Sequence, residues 1–251
     1  MKPTLWSLSY SPWSDRARWA LDHCKVEYDR HAYQPLLGEP AMRVRTGNWT
    51  GPVSVPVMLT DDGVLTDSLD ICRYADRHRD ASVPTLFPDD DADTLDRMHA
   101  MSEEALAAGR ALGLRRILEK ERDALDAFVP PALKKTFGGI GRSIAAMGVR
   151  RTLDKYADVT PEDPEQTLTE FLDSLADAIA GGTEHDDGPT TLLEDLSFAD
   201  ITMAEGLAFI RPPLSHLRLG DASRRAYTWE ACPEGYDEVF AWRDALYAAR
   251  A

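Results

Sequence analysis

Cysteine is scarce in this chain. Its 251 residues hold three, Cys24, Cys72 and Cys232. An odd number at wide spacing excludes a disulfide framework and a thiolate zinc cluster. The six histidines (His23, His31, His78, His99, His185 and His216) are scattered, and none has metal-ligand spacing. Long apolar runs are missing too. The opening MKPTLWSLSYSPW holds none that would serve as a signal peptide or a membrane span, so a cytoplasmic protein is expected. Basic residues are few: 28 Lys and Arg face 43 Asp and Glu, a formal net charge of −15. Such a surface repels phosphate backbones and anionic lipid. Nucleic acid and membrane are therefore not expected as partners, although a local site can still be positive. No internal repeat is found.

What is present suffices for a folded enzyme-sized chain. An apolar fraction of 43% supports a core, and the length fits one large domain or two modest ones. TLWSLSY (Thr4 to Tyr10) alternates Trp6, Leu8 and Tyr10, the period of a strand. RARWALDHC places Ala17, Ala20, Leu21 and Cys24 at helical spacing, and VEYDRHAY (Val26 to Tyr33) returns to a period of two. Gly38, Pro40, Gly47, Gly51 and Pro52 then break any regular element. Val57–Leu59 and Val64–Leu65 flank Asp62-Gly63, a hairpin signal. SLDICRYADRH follows as a helix with Leu69, Cys72, Tyr74 and Ala75 available for burial. The order is β-α-β, a loop, then β-β-α.

The proline- and acid-rich stretch 81–93 reads as a linker. Beyond it strand signals vanish, and Thr94 to Ala127 is rich in helix formers. FVPPALKK restarts a helix at a proline pair. GGIGRS lacks the preceding strand and the Lys-Ser/Thr ending of a phosphate loop, and reads as a bend. TPEDPEQTLTEFLDSLADAIAG is a helix with Leu168, Phe171, Leu172, Leu175 and Ile179 on one stripe. GGTEHDDGP reads as a surface loop. The expected organisation is residues 1–80 α/β, 81–93 linker, and 94–251 all-α.

The chemistry-bearing stretch is SYSPWSDRARWAL. If Tyr10 ends the strand, Ser11 falls at the N-cap and Pro12 at the first helical position, both favoured there. Taken alone, a plain cap is the simpler reading. The same geometry would also serve an anion. A helix N-terminus offers unpaired N–H groups and about half a positive charge, and thiols acidify beside it. No His or Lys adjoins Ser11, so it is not read as a hydrolase serine.

At this point the chain resembles the cytosolic glutathione transferase superfamily, in a serine-type, bacterial-like form. Four segments carry the resemblance, in the right order: SPWSDRARWAL, SVPVMLTDDGVLTDS, DSLDICRYAD and LEDLSFADITMAEGLAF. It implies an N-terminal thioredoxin-like, glutathione-binding domain followed by an all-helical domain with the electrophile pocket. It implies that Ser11 holds the glutathione thiolate. It implies that Pro56 follows a cis bond, that the Val55 backbone pairs with the peptide part of glutathione, and that Asp67 and Ser68 grip its γ-glutamyl end. The charges suit this, since a carboxylate meets an ammonium while a hydroxyl and a helix N-terminus meet a carboxylate. Glutathione is the implied co-substrate, a small apolar electrophile the second, and a homodimer the implied assembly.

Departures mark where the pattern loosens. Asp70 stands where many members have a small or apolar residue. RVRTGNWTGPVS before Pro56 is long, with Arg43, Arg45 and Trp49 as candidates for the glycine carboxylate. Tyr10 and Ser14 are rivals of Ser11 for the thiolate, Tyr10 being read as buried and Ser14 as aimed away. Tyr10, Trp13, Met98, Met101 and Arg110, with Ser102 and Leu106 on the same stripe, are the candidate electrophile pocket. Ser197 and Asp200 form a near capping box, with Leu196 and Ile201 as its hydrophobic staple. The alternatives are a non-catalytic binding or assembly module and a glutathione-dependent isomerase. A thiol reductase would need a cysteine in place of Ser11.

Overall fold

Strand β1 (Thr4–Ser7) runs through the middle of a four-stranded sheet. The computed structural model describes residues 2–35, 38–128 and 138–250. After β1 come helix α1 (Pro12–His23), strand β2 (Asp29–Ala32), helix α2 (Glu39–Thr46), strands β3 (Val57–Thr60) and β4 (Gly63–Leu65), and helix α3 (Ser68–Arg77). The sheet order is β2-β1-β3-β4. β2 lies parallel to β1, as a crossover through α1 requires. β3 and β4 are antiparallel to their neighbours. This is the thioredoxin-like arrangement that the resemblance implied.

Two local expectations need correction here. β1 ends at Ser7, short of Tyr10, and its buried side chains are Leu5 and Ser7, on the face opposite Trp6. Leu5 fills the core beneath α1, while the Trp6 ring stacks on His31 and under Arg45. The expected break after Tyr33 contains α2. Pro40 occupies its first turn, where no N–H is needed, and Gly47 closes it at φ 66°. The supposed breakers are this helix's ends. The β3–β4 hairpin forms as expected, with Gly63 at φ 130°. On α3, Ile71, Cys72, Tyr74 and Ala75 are buried, Leu69 is half-buried, and Asp70 faces solvent.

In the second part, helix α4 (Ala92–Glu119) is followed by α5 (Leu125–Phe128), α6 (Gly138–Lys155), α7 (Pro164–Ala180), α8 (Phe198–Gly206), α9 (Asp221–Tyr227) and α10 (Asp237–Ala249). GGIGRS is not a bend; it opens α6. The following Ala145, Ala146 and Val149 are buried with Leu114 and Ile117 of α4, and that apolar face carries the helix. GGTEHDDGP is not an irregular loop either: strands β5 (Thr183–His185) and β6 (Gly188–Thr191) form a hairpin around Asp186-Asp187. Most of the FVPPALKK segment lies outside the described residues. The α7 stripe is buried at Leu168, Phe171, Leu172 and Leu175. Cys24 and Cys72 sit in the core, and no described helix is long and apolar enough to cross a membrane.

The two parts meet on α1. One face of α1 packs on α3 and the other on α8. A continuous core runs through the junction, from Leu5 and Trp19 through Leu86 and Met98 to Phe198 and Leu246. The capping box at α8 is present. The Asp200 carboxylate accepts from Ser197 N at 2.8 Å and Leu192 N at 2.7 Å, and the Ser197 hydroxyl accepts from Ala199 N at 3.2 Å. Asp200 is fully buried. Burial pushes its carboxyl upward, against the hydrogen bonds that favour the charged form.

Candidate active site

Pairing brings the candidate residues to one end of the sheet. β1 leads out of the sheet into Ser11. The start of β3 pairs with the end of β1, Val57 opposite Trp6, so Val55-Pro56 lies beside that exit. β4 runs back antiparallel, Leu65 opposite Met58, and delivers Asp67-Ser68 to the same end. The Val55–Pro56 peptide is cis. Ser11 caps α1, and Asp67 caps α3 through Leu69 N at 2.8 Å.

Ser11 is buried and in extended conformation at φ −99°, ψ 125°. Its hydroxyl accepts from Ser14 N at a long 3.4 Å. That bond makes little demand on the oxygen, and as a hydroxyl it also carries a donor. Ser14 is fully buried, and its Oγ accepts from Leu8 N at 3.1 Å, which makes it part of the support under the turn. Tyr10 is half-buried, and its phenol is pushed up to about 12 by burial and then by Tyr33. That disfavours the phenolate.

A polar network missed in the sequence underlies the helix mouth. Arg16 is fully buried in α1. Its guanidinium donates to Glu103 at 2.6 Å, to Ser102 at 3.1 Å and to Ser68 at 3.4 Å. The Trp13 indole N–H also donates to Glu103, at 2.9 and 3.0 Å. Ser102 passes the chain on to the Thr202 carbonyl at 2.5 Å. Burial alone would raise the Glu103 carboxyl, but Arg16 and the indole N–H outweigh it and hold it below its ordinary value. One signal pointed to Arg16: it falls on the stripe of Ala17, Ala20, Leu21 and Cys24, where a cation needs a buried partner. Nothing local marked Glu103.

The electrophile-pocket candidates separate. Met98 is buried in the junction core and Met101 packs against it. Leu106 belongs to the second core, with Phe209 and Tyr227. Trp13 and Arg110 come together: the guanidinium lies over the Trp13 ring at 5.0 Å. Phe209 tilts against Trp13 at 6.1 Å and stacks on Tyr227 at 4.6 Å. Gly113 on α4 makes room, since a Cβ there would sit 2.2 Å from the Tyr227 ring. Of the glycine-carboxylate candidates, Arg43 is tied to Glu39 and the Asn48 and Gly51 carbonyls, and Arg45 to the Ala41 carbonyl. Trp49 is largely exposed. Clefts around α2, one lined by Trp6, Tyr33, Met42 and Arg45 and one by Arg43, Val44 and Trp49, lie apart from Trp13 and Arg110. Among the described residues no cluster has the makings of a metal site.

Comparison with known proteins agrees with this geometry. Residues 10–78 match the glutathione S-transferase N-terminal domain family. No curated protein sequence matches the chain. Among solved structures, the glutathione S-transferase CsGST63524 of Ceriporiopsis subvermispora, in complex with glutathione, is 15% identical. The match covers 100% of this chain and 95% of that one, with a TM-score of 0.59. Glutathione transferase Xi 1 from Trametes versicolor is 13% identical, covering 100% and 80%, with a TM-score of 0.58. GSTFuA3 from Phanerochaete chrysosporium is 14% identical, covering 99% and 94%, with a TM-score of 0.57. At such identities the likeness is one of fold.

Proposed function

We propose that this chain, which carries a glutathione S-transferase N-terminal domain on a glutathione transferase fold, binds glutathione and uses Ser11 to hold its thiolate. Val55 and Pro56 take the peptide part, and Asp67 and Ser68 the γ-glutamyl end. The thiol proton leaves to solvent. The thiolate then attacks an electrophilic carbon: a C–S bond forms, and the bond to the leaving group breaks with its electron pair. On an aryl chloride the products are a thioether and chloride.

The observation that carries this reading is the convergence of Ser11, Val55-Pro56 and Asp67-Ser68 at one sheet end, with two of them at helix N-termini. A charge-assisted hydrogen bond contributes about 1.5–3 kcal/mol, and the α1 dipole adds about 0.3–1 kcal/mol. That is enough to acidify a thiol but not to drive difficult chemistry. The fully buried Cys24 and Cys72, whose thiols burial raises, the first to about 12, do not suit a reductase.

Calorimetry with glutathione, beside a 1-chloro-2,4-dinitrobenzene assay of wild type and Ser11→Ala, tests the reading. It expects wild type to bind and turn over, and Ser11→Ala to bind but react 10–100-fold more slowly. Binding without turnover in wild type would instead favour a non-catalytic module.

A further inference from the structure

Arg110 is the pocket candidate that carries a charge; burial lowers its pKa, while Tyr156 and then Glu103 favour the charged form. It projects from α4 two helical turns beyond Glu103, and the Trp13 indole lies between them, its N–H on Glu103 and its ring under Arg110. Glu103 is therefore already engaged by Arg16 and Trp13. The Arg110 guanidinium also lies 3.8 Å from the Tyr156 ring centre. Among the described residues no carboxylate pairs with it and no carbonyl accepts from it. Contact with two rings stabilises the cation but supplies no acceptor for its N–H donors. A second cation joins it. Lys155, at the end of α6, lies 4.6 Å from the same Tyr156 ring and donates to the Val53 carbonyl at 3.2 Å, two residues before Val55.

The result is a local positive site on a chain of net charge −15. It has an aromatic wall of Trp13, Phe209 and Tyr156, and Trp13 stands two residues after Ser11. We infer that the second substrate is an aromatic electrophile bearing an anionic group, a carboxylate or sulfonate, which Arg110 takes in its plane while Lys155 closes the rim. This deepens the proposed transferase reading and rests on it for the reaction, though not for the binding. A neutral apolar electrophile would leave a half-buried guanidinium facing apolar carbon, which is unfavourable.

The binding arm uses unreactive probes. Wild type is titrated with 3,5-dinitrobenzoate and with 1,3-dinitrobenzene, following Trp fluorescence. The expected result is at least tenfold tighter binding of the benzoate, lost in Arg110→Gln, partly kept in Arg110→Lys, and reduced severalfold in Lys155→Gln. Equal affinity for the two probes in wild type, or a preference that survives Arg110→Gln, overturns the inference. Glutathione affinity is measured in parallel. A tenfold loss in Arg110→Gln would assign the cation to glutathione's own carboxylate and likewise overturn it.

The reaction arm compares kcat/KM for 4-chloro-3,5-dinitrobenzoate and 1-chloro-2,4-dinitrobenzene with glutathione. The ratio is expected to fall about tenfold on Arg110→Gln, and an unchanged ratio counts against the inference. If neither arene turns over while the benzoate probe binds as expected, the transferase reading fails and the anion site stands.

Discussion

Two charged clusters join α1 to the helical part, and they differ in one respect. Arg16, Glu103 and Trp13 form the first, where the Glu103 side chain keeps 39% of its surface exposed. The second lies on the other side of α1. There Asp15 pairs with Arg18 at 2.9 Å and with Arg250 at 3.0 Å, while Glu205 of α8 accepts from the Tyr247 hydroxyl at 2.9 Å. Its carboxylates are dry, at 1% exposure for Asp15 and 0% for Glu205. Burial raises Asp15, but Arg250 and Arg18 outweigh it and hold its carboxyl below the ordinary value. Glu205 is pushed well above its ordinary value by burial and by Asp15. One cluster opens toward the helix mouth and the other is sealed. Glu103 keeps a solvent-facing edge beside the first turn of α1, whereas Asp15 and Glu205 have none.

Substitutions should break that comparison in an ordered way. The largest effect is expected from Asp15→Ala, which strips a sealed pair and leaves Arg250 only its 3.5 Å contact with Asp22. It should cost about 3–5 kcal/mol in urea unfolding, with kcat of the remaining folded protein little changed. Ser11→Ala should do the reverse: stability within about 1 kcal/mol and turnover down by roughly 10–100-fold, the worth of one charge-assisted hydrogen bond. Glu103→Gln should fall between. Water screens its exposed edge, so a loss of about 1–2 kcal/mol is expected, together with a changed Trp13 fluorescence, since the indole N–H loses a charged acceptor.

The pH dependence separates the two buried carboxyls. Asp15 has a folded value below its unfolded one, so its contribution is complete above pH ~4 and is lost as pH falls through the folded value. Glu205 has a raised folded value. Its contribution is complete below pH ~4 and drains away as pH rises toward the folded value. Glu205→Gln removes that drain. Relative to wild type its stability should climb between pH 5 and 8, by no more than about 1.4 kcal/mol per pH unit. A flat difference across that range would mean Glu205 is ionised in the folded protein. The smallest effect is expected from Ser197→Ala, a lost cap of about 1 kcal/mol, measured as yield and melting temperature rather than specific activity.

The sequence carried the N-terminal order because its signals are local. Ser11-Pro12 marks a helix start and Asp62-Gly63 a hairpin, and each does what its chemistry allows. Pro40 and Gly47 signal a break in any pattern, yet here they bound α2, at its first turn and its C-cap. Asp186-Asp187-Gly188 turns β5 into β6 much as Asp61-Asp62-Gly63 turns β3 into β4, but few apolar residues flank it to mark strands. The period of two at Trp6, Leu8 and Tyr10 marks one face of a strand but does not say which face is buried, and the sheet buries Leu5 and Ser7. The site network was out of reach for another reason. Arg16 and Glu103 lie 87 residues apart and meet only because α8 packs on both α1 and α4. No local pattern records such a pairing.

The most direct test of the central claim is a pH titration of the thiol in bound glutathione, followed by thiolate absorbance in wild type and Ser11→Ala. If Ser11 holds the thiolate, the wild-type complex titrates clearly below the ordinary thiol value of about 8.5, and the Ser11→Ala complex moves back toward it while still binding glutathione. If the two complexes titrate together, Ser11 is a helix cap and nothing more.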